Sequence, residues 1–201
     1  MRILVMCLLI GILLLGTTAC GNTTAEEDVT TEFENSVFVG DSITAGFAVN
    51  EILPEERVIA GAGATAGFIY DDVDDLVAKN PDNVFIMLGS LDVLMPVDNP
   101  KELFRNDLAK LVDKIKEELP DSKIYLQSIT PVTQGALDQY PRYKEIGEYN
   151  EIIKELADQL SVNYVDIGVL VNENTDLFAE DGVHFKKEFY HLWLNKLSKS
   201  L

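Results

Sequence analysis

A serine, an aspartate and a histidine lie in two short segments of this sequence whose composition suits nucleophilic chemistry. Ser42 follows Gly-Asp in FVGDSITAGF, directly after a short apolar run, and Asp181 and His184 share the segment DGVH near the carboxyl terminus. In acyl transfer, a histidine takes the serine proton, while an aspartate holds the histidine tautomer and stabilises the imidazolium. Because Asp181 precedes His184 by one local turn, it can bind the Nδ1 side of the ring and leave Nε2 free to face Ser42.

Each of these segments also has a purely structural interpretation. Serine and aspartate are ordinary helix-start residues, so Gly-Asp-Ser can be no more than a helix cap. Asp181 and His184 can likewise begin the last helix, with the histidine on the surface. His191 is the other of the two histidines, and we interpret it as a residue on the face of that helix.

Short apolar runs that alternate with helical patterns must position these side chains. The predicted strands are Val37–Val39, Arg57–Ala60, Val84–Leu88, Lys123–Gln127 and Tyr164–Ile167, and the predicted helices cover 67–79, 101–119, 144–160 and 186–199. This alternation predicts a parallel sheet covered by helices on both faces. Ligands of such folds bind beyond the carboxyl ends of the strands, which is where Ser42 lies relative to the first strand.

Three further segments follow predicted strands and should converge at the same edge of the sheet. Gly61–Thr65 reads GAGAT, Gly89–Asp92 reads GSLD, and the segment 128–132 after the fourth strand contains Thr130. The glycines of VIAGAGATAG also match a dinucleotide-binding turn. We disfavour that interpretation, because these glycines follow the second strand instead of opening the domain, and because an exported protein meets little NAD.

Taken together, these segments resemble the SGNH, or GDSL, hydrolase family from Val37 to the C-terminal helix. FVGDSIT is similar to the first block of the family and DGVHF to the last. The resemblance implies a three-layer α/β/α, flavodoxin-like fold with a parallel sheet, here of about five strands. It also implies hydrolysis of esters, thioesters or O-acyl groups without a metal or other cofactor.

The resemblance also implies roles for particular residues. Ser42 would be the nucleophile, His184 the general base and acid, and Asp181 the residue that orients the histidine. The backbone N–H groups of Ser42 and Gly63 would form part of the oxyanion hole. We choose Gly63 over Gly61 because Gly63-Ala64-Thr65 fits the Gly-x-Thr pattern of the family better.

The third block departs from the family at one position. The family pattern is Gly-x-Asn-Asp, with the asparagine side chain as an oxyanion donor, whereas this chain has Leu91 there. Loss of one such donor typically costs on the order of 100- to 1000-fold in rate. The enzyme is then slow, or another donor such as Ser90 substitutes, or the protein binds a ligand without catalysis. We predict Ser90, Leu91 and Thr130 as substrate-binding residues and interpret Asp92 as structural.

The first residues have the pattern of an export signal. Met1-Arg2 precedes an apolar run, and Thr17-Thr18-Ala19 then leads to Cys20, which resembles the lipobox of bacterial lipoproteins. We expect a signal peptide over 1–19, a lipidated Cys20 with an acidic tether over 20–35, and the hydrolase-like domain over 36–201. The alternative is an ordinary secretory signal cut near Ala19. The protein is thus expected outside the cytoplasm, attached to the membrane by its lipid anchor only.

Composition excludes several classes of function. The formal net charge of −18 argues against a nucleic-acid partner, which requires basic patches. The chain has two histidines and no cysteine beyond Cys20, which argues against a zinc hydrolase, and the acidic cluster Asp71, Asp72, Asp74 and Asp75 is interpreted as a solvated face. Thr44 stands where a G-x-S-x-G elbow needs its second glycine, which disfavours the α/β-hydrolase fold.

The preferred hypothesis is therefore a cell-envelope serine esterase or acylhydrolase. Its substrate would be a small-molecule or glycan ester, and the protein would act as a monomer. Two alternatives stay open: a noncatalytic lipoprotein that binds an acylated ligand in the same cleft, motivated by Leu91, and an O-acyltransferase that uses the same triad.

Overall fold

A parallel sheet of five strands forms the centre of the structure, a computed structural model that describes residues 29–172 and 174–201. The strands are β1 (Ser36–Gly40), β2 (Val58–Ala60), β3 (Asn83–Met87), β4 (Lys123–Gln127) and β5 (Asn163–Val165). Their spatial order is β2-β1-β3-β4-β5, and every neighbouring pair is parallel. All five strands therefore end at one edge of the sheet, as the sequence predicts.

Helices connect the strands and cover both faces of the sheet. The α-helices are α1 (Ser42–Val49), α2 (Ala66–Ile69), α3 (Val73–Lys79), α4 (Pro100–Glu118), α5 (Gln134–Gln139), α6 (Ile146–Leu160) and α7 (Lys187–Ser198). Short 3₁₀ helices occupy Val29–Phe33, Glu55–Arg57, Tyr70–Asp72, Asp92–Leu94, Pro141–Glu145, Gly168–Leu170 and Thr175–Leu177. None of the helices in the described part of the chain is long and apolar enough to cross a membrane.

Alternation along the strands gives the protein two buried layers. In β1, Val37 and Val39 face a cluster that includes residues of α4 and α6, while Phe38 faces a cluster built on α1 and α7. Successive side chains of a strand point to opposite faces, so a strand covered on both sides reads as one continuous apolar run. The architecture is a three-layer α/β/α sandwich, which confirms the predicted fold class.

The layer that carries α7 is aromatic and ties the end of the chain to the nucleophile helix. Trp193 is fully buried, and its Nε1–H donates to Oε1 of Gln127 in β4 at 2.6 Å. The Tyr190 hydroxyl donates to the backbone oxygen of Ile43 in α1 at 3.0 Å. These bonds fix α7 against β4 and α1, and so hold the segment before α7 near the carboxyl edge of the sheet.

The predicted elements agree with the structure except in three places. The predicted helix 67–79 is three pieces, α2, the 3₁₀ turn Tyr70–Asp72 and α3, and α5 lies in a stretch predicted as loop. The third difference concerns Phe33, which lies within the predicted tether 20–35 but is fully buried against Phe38 and Phe85. The packed part of the chain thus includes residues before the predicted boundary at 36. The predicted signal peptide and Cys20 lie outside the described residues.

Candidate active site

Ser42 is the first residue of α1 and lies just beyond the carboxyl end of β1. Asp41 caps this helix, because its Oδ1 accepts the backbone N–H of Ile43 at 2.9 Å. Ser42 therefore begins the helix without being its cap, which refines the cap interpretation. Its side chain is half-buried and lines a cavity.

Asp181 and His184 form one hydrogen-bonded turn that reaches Ser42. Oδ1 of Asp181 accepts the backbone N–H groups of Val183 and His184, each at 2.9 Å. Oδ2 of Asp181 lies 2.6 Å from Nδ1 of His184, and Nε2 of His184 lies 2.8 Å from Oγ of Ser42. With the Nδ1 proton donated to the carboxylate, Nε2 is the acceptor for the serine hydroxyl. The structure thus brings together the three residues that the sequence predicts as catalytic.

A glycine keeps this turn tight against the rest of the protein. Gly182 has φ +70°, and a Cβ there would overlap the side chain of Thr133. The backbone N–H of Thr133 donates to the Gly182 oxygen at 2.9 Å. The turn is therefore docked on the start of α5 and positioned by α7 from the other side.

The environment of Asp181 favours its ionised form. Burial acts to raise its pKa, but the N–H groups of Val183 and His184 and the imidazole ring outweigh burial, and the net shift is downward. An ionised Asp181 keeps the proton of His184 on Nδ1. The ring can then accept a proton on Nε2 while its positive charge is stabilised.

The predicted oxyanion residues, Ser42 and Gly63, both line the cavity. The N–H of Ser42 is in the first turn of α1 and has no acceptor within the helix. Gly63 also lines the cavity and has φ +84°, a conformation that suits glycine. A Cβ at Gly63 would lie 3.8 Å from Cδ2 of Leu91. The leucine that stands where the family pattern has a donor is therefore beside Gly63, in the lining of the same cavity.

The neighbours of Leu91 serve different purposes. Ser90 lines the cavity and hydrogen-bonds the phenol of Tyr143, whose pKa burial raises and this hydrogen bond partly lowers again. Asp92 is buried, and its Oδ1 accepts the backbone N–H of Ala66 at 3.2 Å. This contact agrees with the interpretation of Asp92 as structural.

Two buried carboxyl groups adjoin the site: Asp41 precedes Ser42 and lines the cavity, and Asp92 follows Leu91. Burial raises the pKa of Asp41 to about 6, against the hydrogen bond from Ile43 and the charge of His184. Burial likewise raises the pKa of Asp92 to about 7; the hydrogen bond from Ala66 opposes this shift, and the charges of Asp41 and Asp107 add to it. Among the described residues, Oδ2 of each group has no hydrogen-bond partner.

The cavity above these residues has a volume of about 460 Å³ and a mixed lining. It is lined by Asp41, Ser42, Gly63, Ser90, Leu91, Leu94, Gln139, Tyr140, Tyr143, Asp181, Val183 and His184. Tyr140 is 44 % exposed and accepts a hydrogen bond from Nε2 of Gln139 at 3.1 Å. The segment with Tyr140 and Tyr143 thus forms one wall of the cavity.

Ser90, Leu91 and Thr130 are the predicted substrate-binding residues. Of these three, Thr130 is the one that lies away from the site. Its side chain is buried and does not line the cavity, so that prediction is corrected. The segment after β4 is held by Asn150, whose side chain accepts from the N–H of Ile129 and donates to the oxygen of the same residue. Sequence reasoning does not identify this clamp, and the position of Asn150 in the amphipathic α6 is the signal that points to it.

The described residues show no group of three or more His, Cys, Asp or Glu side chains arranged to hold a metal ion.

The Gly61–Gly63 turn places Gly63 in the same cavity as Ser42 and leads into α2, a helix of a single turn. Gly63 therefore lines the same cavity as the serine, whereas Gly61 lines a different depression.

Comparison with known proteins places this geometry in a family context. Residues 38–192 match the model of the GDSL-like lipase/acylhydrolase family. No curated protein matches the chain.

Solved structures share the fold at low sequence identity. A GDSL-like lipase from Bacteroides thetaiotaomicron has a TM-score of 0.68 and 20 % identity, with 85 % of this chain and 88 % of that chain covered. The lipase/acylhydrolase from Enterococcus faecalis has a TM-score of 0.67 and 22 % identity, covering 82 % and 94 %. A catalytic mutant of an acetylxylan esterase from Geobacillus stearothermophilus has a TM-score of 0.61 and 20 % identity, covering 81 % and 91 %.

Proposed function

The chain belongs to the GDSL-like lipase/acylhydrolase family, and from this premise we propose that it is a serine esterase that hydrolyses a small ester or O-acyl group through an acyl-enzyme on Ser42. The observation that carries the proposal is the chain of contacts from Asp181 through His184 to Ser42, at 2.6 and 2.8 Å. Nucleophile, base and orienting carboxylate are all within hydrogen-bond reach, which is the arrangement that acyl transfer requires.

The proposed reaction follows from the positions of these atoms. As Oγ of Ser42 attacks the ester carbonyl, Nε2 of His184 takes the hydroxyl proton, and Asp181 stabilises the imidazolium. The carbonyl oxygen becomes an oxyanion that the N–H groups of Ser42 and Gly63 face. His184 then gives the proton to the leaving alcohol. Water enters, gives a proton to the same nitrogen and attacks the acyl carbonyl. The bond between the acyl carbon and Oγ of Ser42 then breaks, His184 returns the proton to Oγ, and the acid leaves.

The cavity lining supports a neutral substrate with a short acyl group. Leu91, Leu94 and Val183 supply the apolar part of the lining, whereas Gln139 and Tyr140 offer an amide and an exposed phenol ring. No lysine or arginine occurs among the described residues that line this cavity, so nothing there balances an anionic headgroup. An acylated sugar hydroxyl fits this chemistry, because sugars bind to aromatic rings and amides. The acetylxylan esterase with the same fold acts on a substrate of this kind, as its name states.

We further propose that the protein is exported and held at the cell membrane through lipidated Cys20. The support is the sequence pattern that ends in Thr17-Thr18-Ala19-Cys20. Replacement of Cys20 by alanine should move the protein from the membrane fraction of the producing cell to the soluble fraction. Unchanged membrane association of the variant would contradict the lipid anchor.

The esterase proposal is tested by hydrolysis of 4-nitrophenyl esters by the purified protein. We expect turnover of the acetyl ester, a fall in kcat/KM as the acyl chain lengthens, and loss of activity in Ser42→Ala. Ser200→Ala, at an exposed position near the end of the chain, is the matched control and should behave as the wild type. Activity that persists in Ser42→Ala would refute the assignment of Ser42.

A noncatalytic binding function is the second candidate, and Leu91 is the observation that favours it. In that case the wild type would bind an acetylated xylo-oligosaccharide without releasing acetate. Calorimetric titration and acetate release, measured on the same samples, separate the two functions. Release of acetate by the wild type, but not by Ser42→Ala, supports the esterase.

A further inference from the structure

Asp92 is a buried carboxyl group that the proposed reaction does not use. It is 3 % exposed and begins the 3₁₀ helix Asp92–Leu94, directly after the leucine that lies beside Gly63. The Tyr149 hydroxyl is 3.4 Å from its backbone oxygen, so the main chain at Asp92 is in contact with α6 as well. Burial of a charged carboxyl group is energetically unfavourable, so we look for a role of Asp92 that explains its position.

The contact made by Asp92 reaches the loop that carries Gly63. Its Oδ1 accepts the N–H of Ala66, which is the first residue of α2. Within the loop, the N–H of Ala64 donates to the oxygen of Gly61 at 3.2 Å. The bond from Asp92 therefore ties the turn of Gly61–Thr65 to the neighbouring loop at the point where the turn becomes a helix.

The nucleophile side of the site has a parallel arrangement. Oδ1 of Asp41 accepts the N–H of Ile43, the residue after Ser42. Each of the two N–H groups proposed to face the oxyanion is thus within a few residues of an N–H held by a buried carboxyl oxygen. Ser42 has the rigid α1 behind it, whereas Gly63 is exposed and precedes a helix of a single turn. The hydrogen bond from Ala66 to Asp92 is consequently more important for placing Gly63 than the bond from Ile43 to Asp41 is for placing Ser42.

Because residue 91 is apolar, the hydrogen bond between Ala66 and Asp92 becomes important for the rate of the proposed reaction. Since Leu91 offers no side-chain donor, the N–H groups of Ser42 and Gly63 are the proposed donors to the oxyanion. Donors stabilise an oxyanion only where they are already aimed at it, and a misplacement of about 1 Å can cost on the order of 100-fold. A side chain that keeps Gly63 in place then contributes to the transition state without touching it.

We propose that Asp92 is a positioning residue of the active site, whose carboxyl oxygen holds the N–H of Ala66 and thereby keeps the N–H of Gly63 aimed at the oxyanion. This inference rests on the proposed esterase function. It assigns to Asp92 an effect on kcat, because the oxyanion forms only in the transition state.

The test compares variants that keep or remove the acceptor, using hydrolysis of 4-nitrophenyl acetate. Asp92→Asn keeps an oxygen at the position of Oδ1, whereas Asp92→Ala removes it. We expect Asp92→Ala to lower kcat by about 10-fold or more with KM within about 2-fold, and Asp92→Asn to keep kcat within about 3-fold of the wild type. Asp113→Ala, at an exposed position of α4, is the matched control and should leave both constants unchanged.

A second variant removes the same hydrogen bond from the donor side. Ala66→Pro deletes the N–H at the first position of α2, where proline is accepted, and Thr65 already has the extended backbone that a following proline requires. We expect a fall in kcat similar to that of Asp92→Ala, and little further loss in the double variant. If Asp92→Ala does not fold, Ala66→Pro still tests the hydrogen bond between Ala66 and Asp92.

The outcomes separate this inference from the function on which it rests. If the wild type shows no hydrolysis that depends on Ser42, the esterase proposal itself is wrong. If the wild type is active and either folded variant that lacks the tie retains the kcat of the wild type, only the role of Asp92 is refuted. Equal losses of kcat in Asp92→Asn and Asp92→Ala would likewise refute it, since the asparagine keeps the acceptor.

Discussion

The two sides of the serine are built differently. On the side of His184, every link is a direct hydrogen bond, and Asp181, Val183 and His184 form it within one turn of the chain. On the side of Gly63, two separate loops meet, and the contact between them at the cavity is the apolar Leu91. Asp92, which follows Leu91, and Asp41, which precedes Ser42, each have one carboxyl oxygen without a hydrogen-bond partner among the described residues.

This difference indicates which part of the site limits the rate of the proposed ester hydrolysis. The proton-transfer side has all the parts that the chemistry needs, with the carboxylate of Asp181 kept ionised by its hydrogen bonds. The oxyanion side has two proposed backbone donors, the N–H groups of Ser42 and Gly63, and a leucine where the family pattern places a third. We therefore expect changes on the first side to abolish activity, and changes on the second side to adjust it in either direction.

The largest effect is expected from removing the base. His184→Ala should lower kcat/KM for 4-nitrophenyl acetate by about 10⁴-fold, because no other group takes the proton of Ser42. The matched control is His191→Ala, whose residue is exposed on α7 and should leave the rate unchanged. Comparable rates of the two variants would mean that the proton-transfer side has been misassigned.

A smaller loss is expected from Asp181→Asn. An asparagine at this position can present its amide N–H to Nδ1 of His184, which favours the wrong tautomer, and it cannot stabilise the imidazolium. We expect kcat to fall by about 10³-fold. Glu180→Gln removes a neighbouring exposed charge and should keep the activity, so a similar loss in that variant would point to a long-range effect of charge instead.

The third prediction tests the oxyanion side, where we expect a substitution to raise kcat instead of lowering it. Leu91→Asn should raise kcat by about 10-fold, since it places a donor beside Gly63 where the family pattern has one. Leu91→Ala opens the same space without adding a donor and should not raise kcat. An unchanged or lower rate in Leu91→Asn would show that another group already serves as the third donor.

The smallest effect concerns stability and the pH at which it is lost. The pKa of Asp92 is raised to about 7 by burial and by Asp41 and Asp107, so this group stabilises the fold fully below the ordinary carboxyl pKa and less as the pH rises through 7. Asp92→Asn cannot ionise. From pH 5 to 8, we expect the free energy of unfolding of the wild type to fall relative to this variant by at least about 1 kcal/mol.

Urea unfolding at several pH values measures that difference. Asp107→Asn, which removes a charge that acts on Asp92, should reduce the fall, whereas Asp113→Asn should not change it. A difference between wild type and Asp92→Asn that is the same at every pH would mean that the oxyanion side holds no strained carboxyl group.

Much of this molecule could be predicted from its sequence, and the reasons are local. Continuous apolar runs such as Val37–Val39 indicate strands that are covered on both faces. The turn from Asp181 to His184 is encoded by its own spacing and by the glycine at 182. The site then follows from the rule that parallel strands end together.

What could not be predicted depends on contacts between distant residues. Thr130 follows a strand, but irregular backbone does not alternate as a strand does, and its side chain is buried away from the cavity. The helix α5 is short and contains Gly135, so it shows no periodic pattern. The bonds from Asn150 to Ile129 and from Asp92 to Ala66 each join segments far apart in the chain.

The central claim is that Ser42 is an activated nucleophile whose base is His184. Its most direct test is labelling with a fluorophosphonate, followed by mass spectrometry of the modified peptide, because an activated serine reacts with this probe and an idle one does not. We predict labelling of the wild type at Ser42 alone, and at least about 100-fold slower labelling of His184→Ala, with His191→Ala labelled as the wild type. A wild-type protein that stays unlabelled, or that reacts equally fast without His184, would contradict the account.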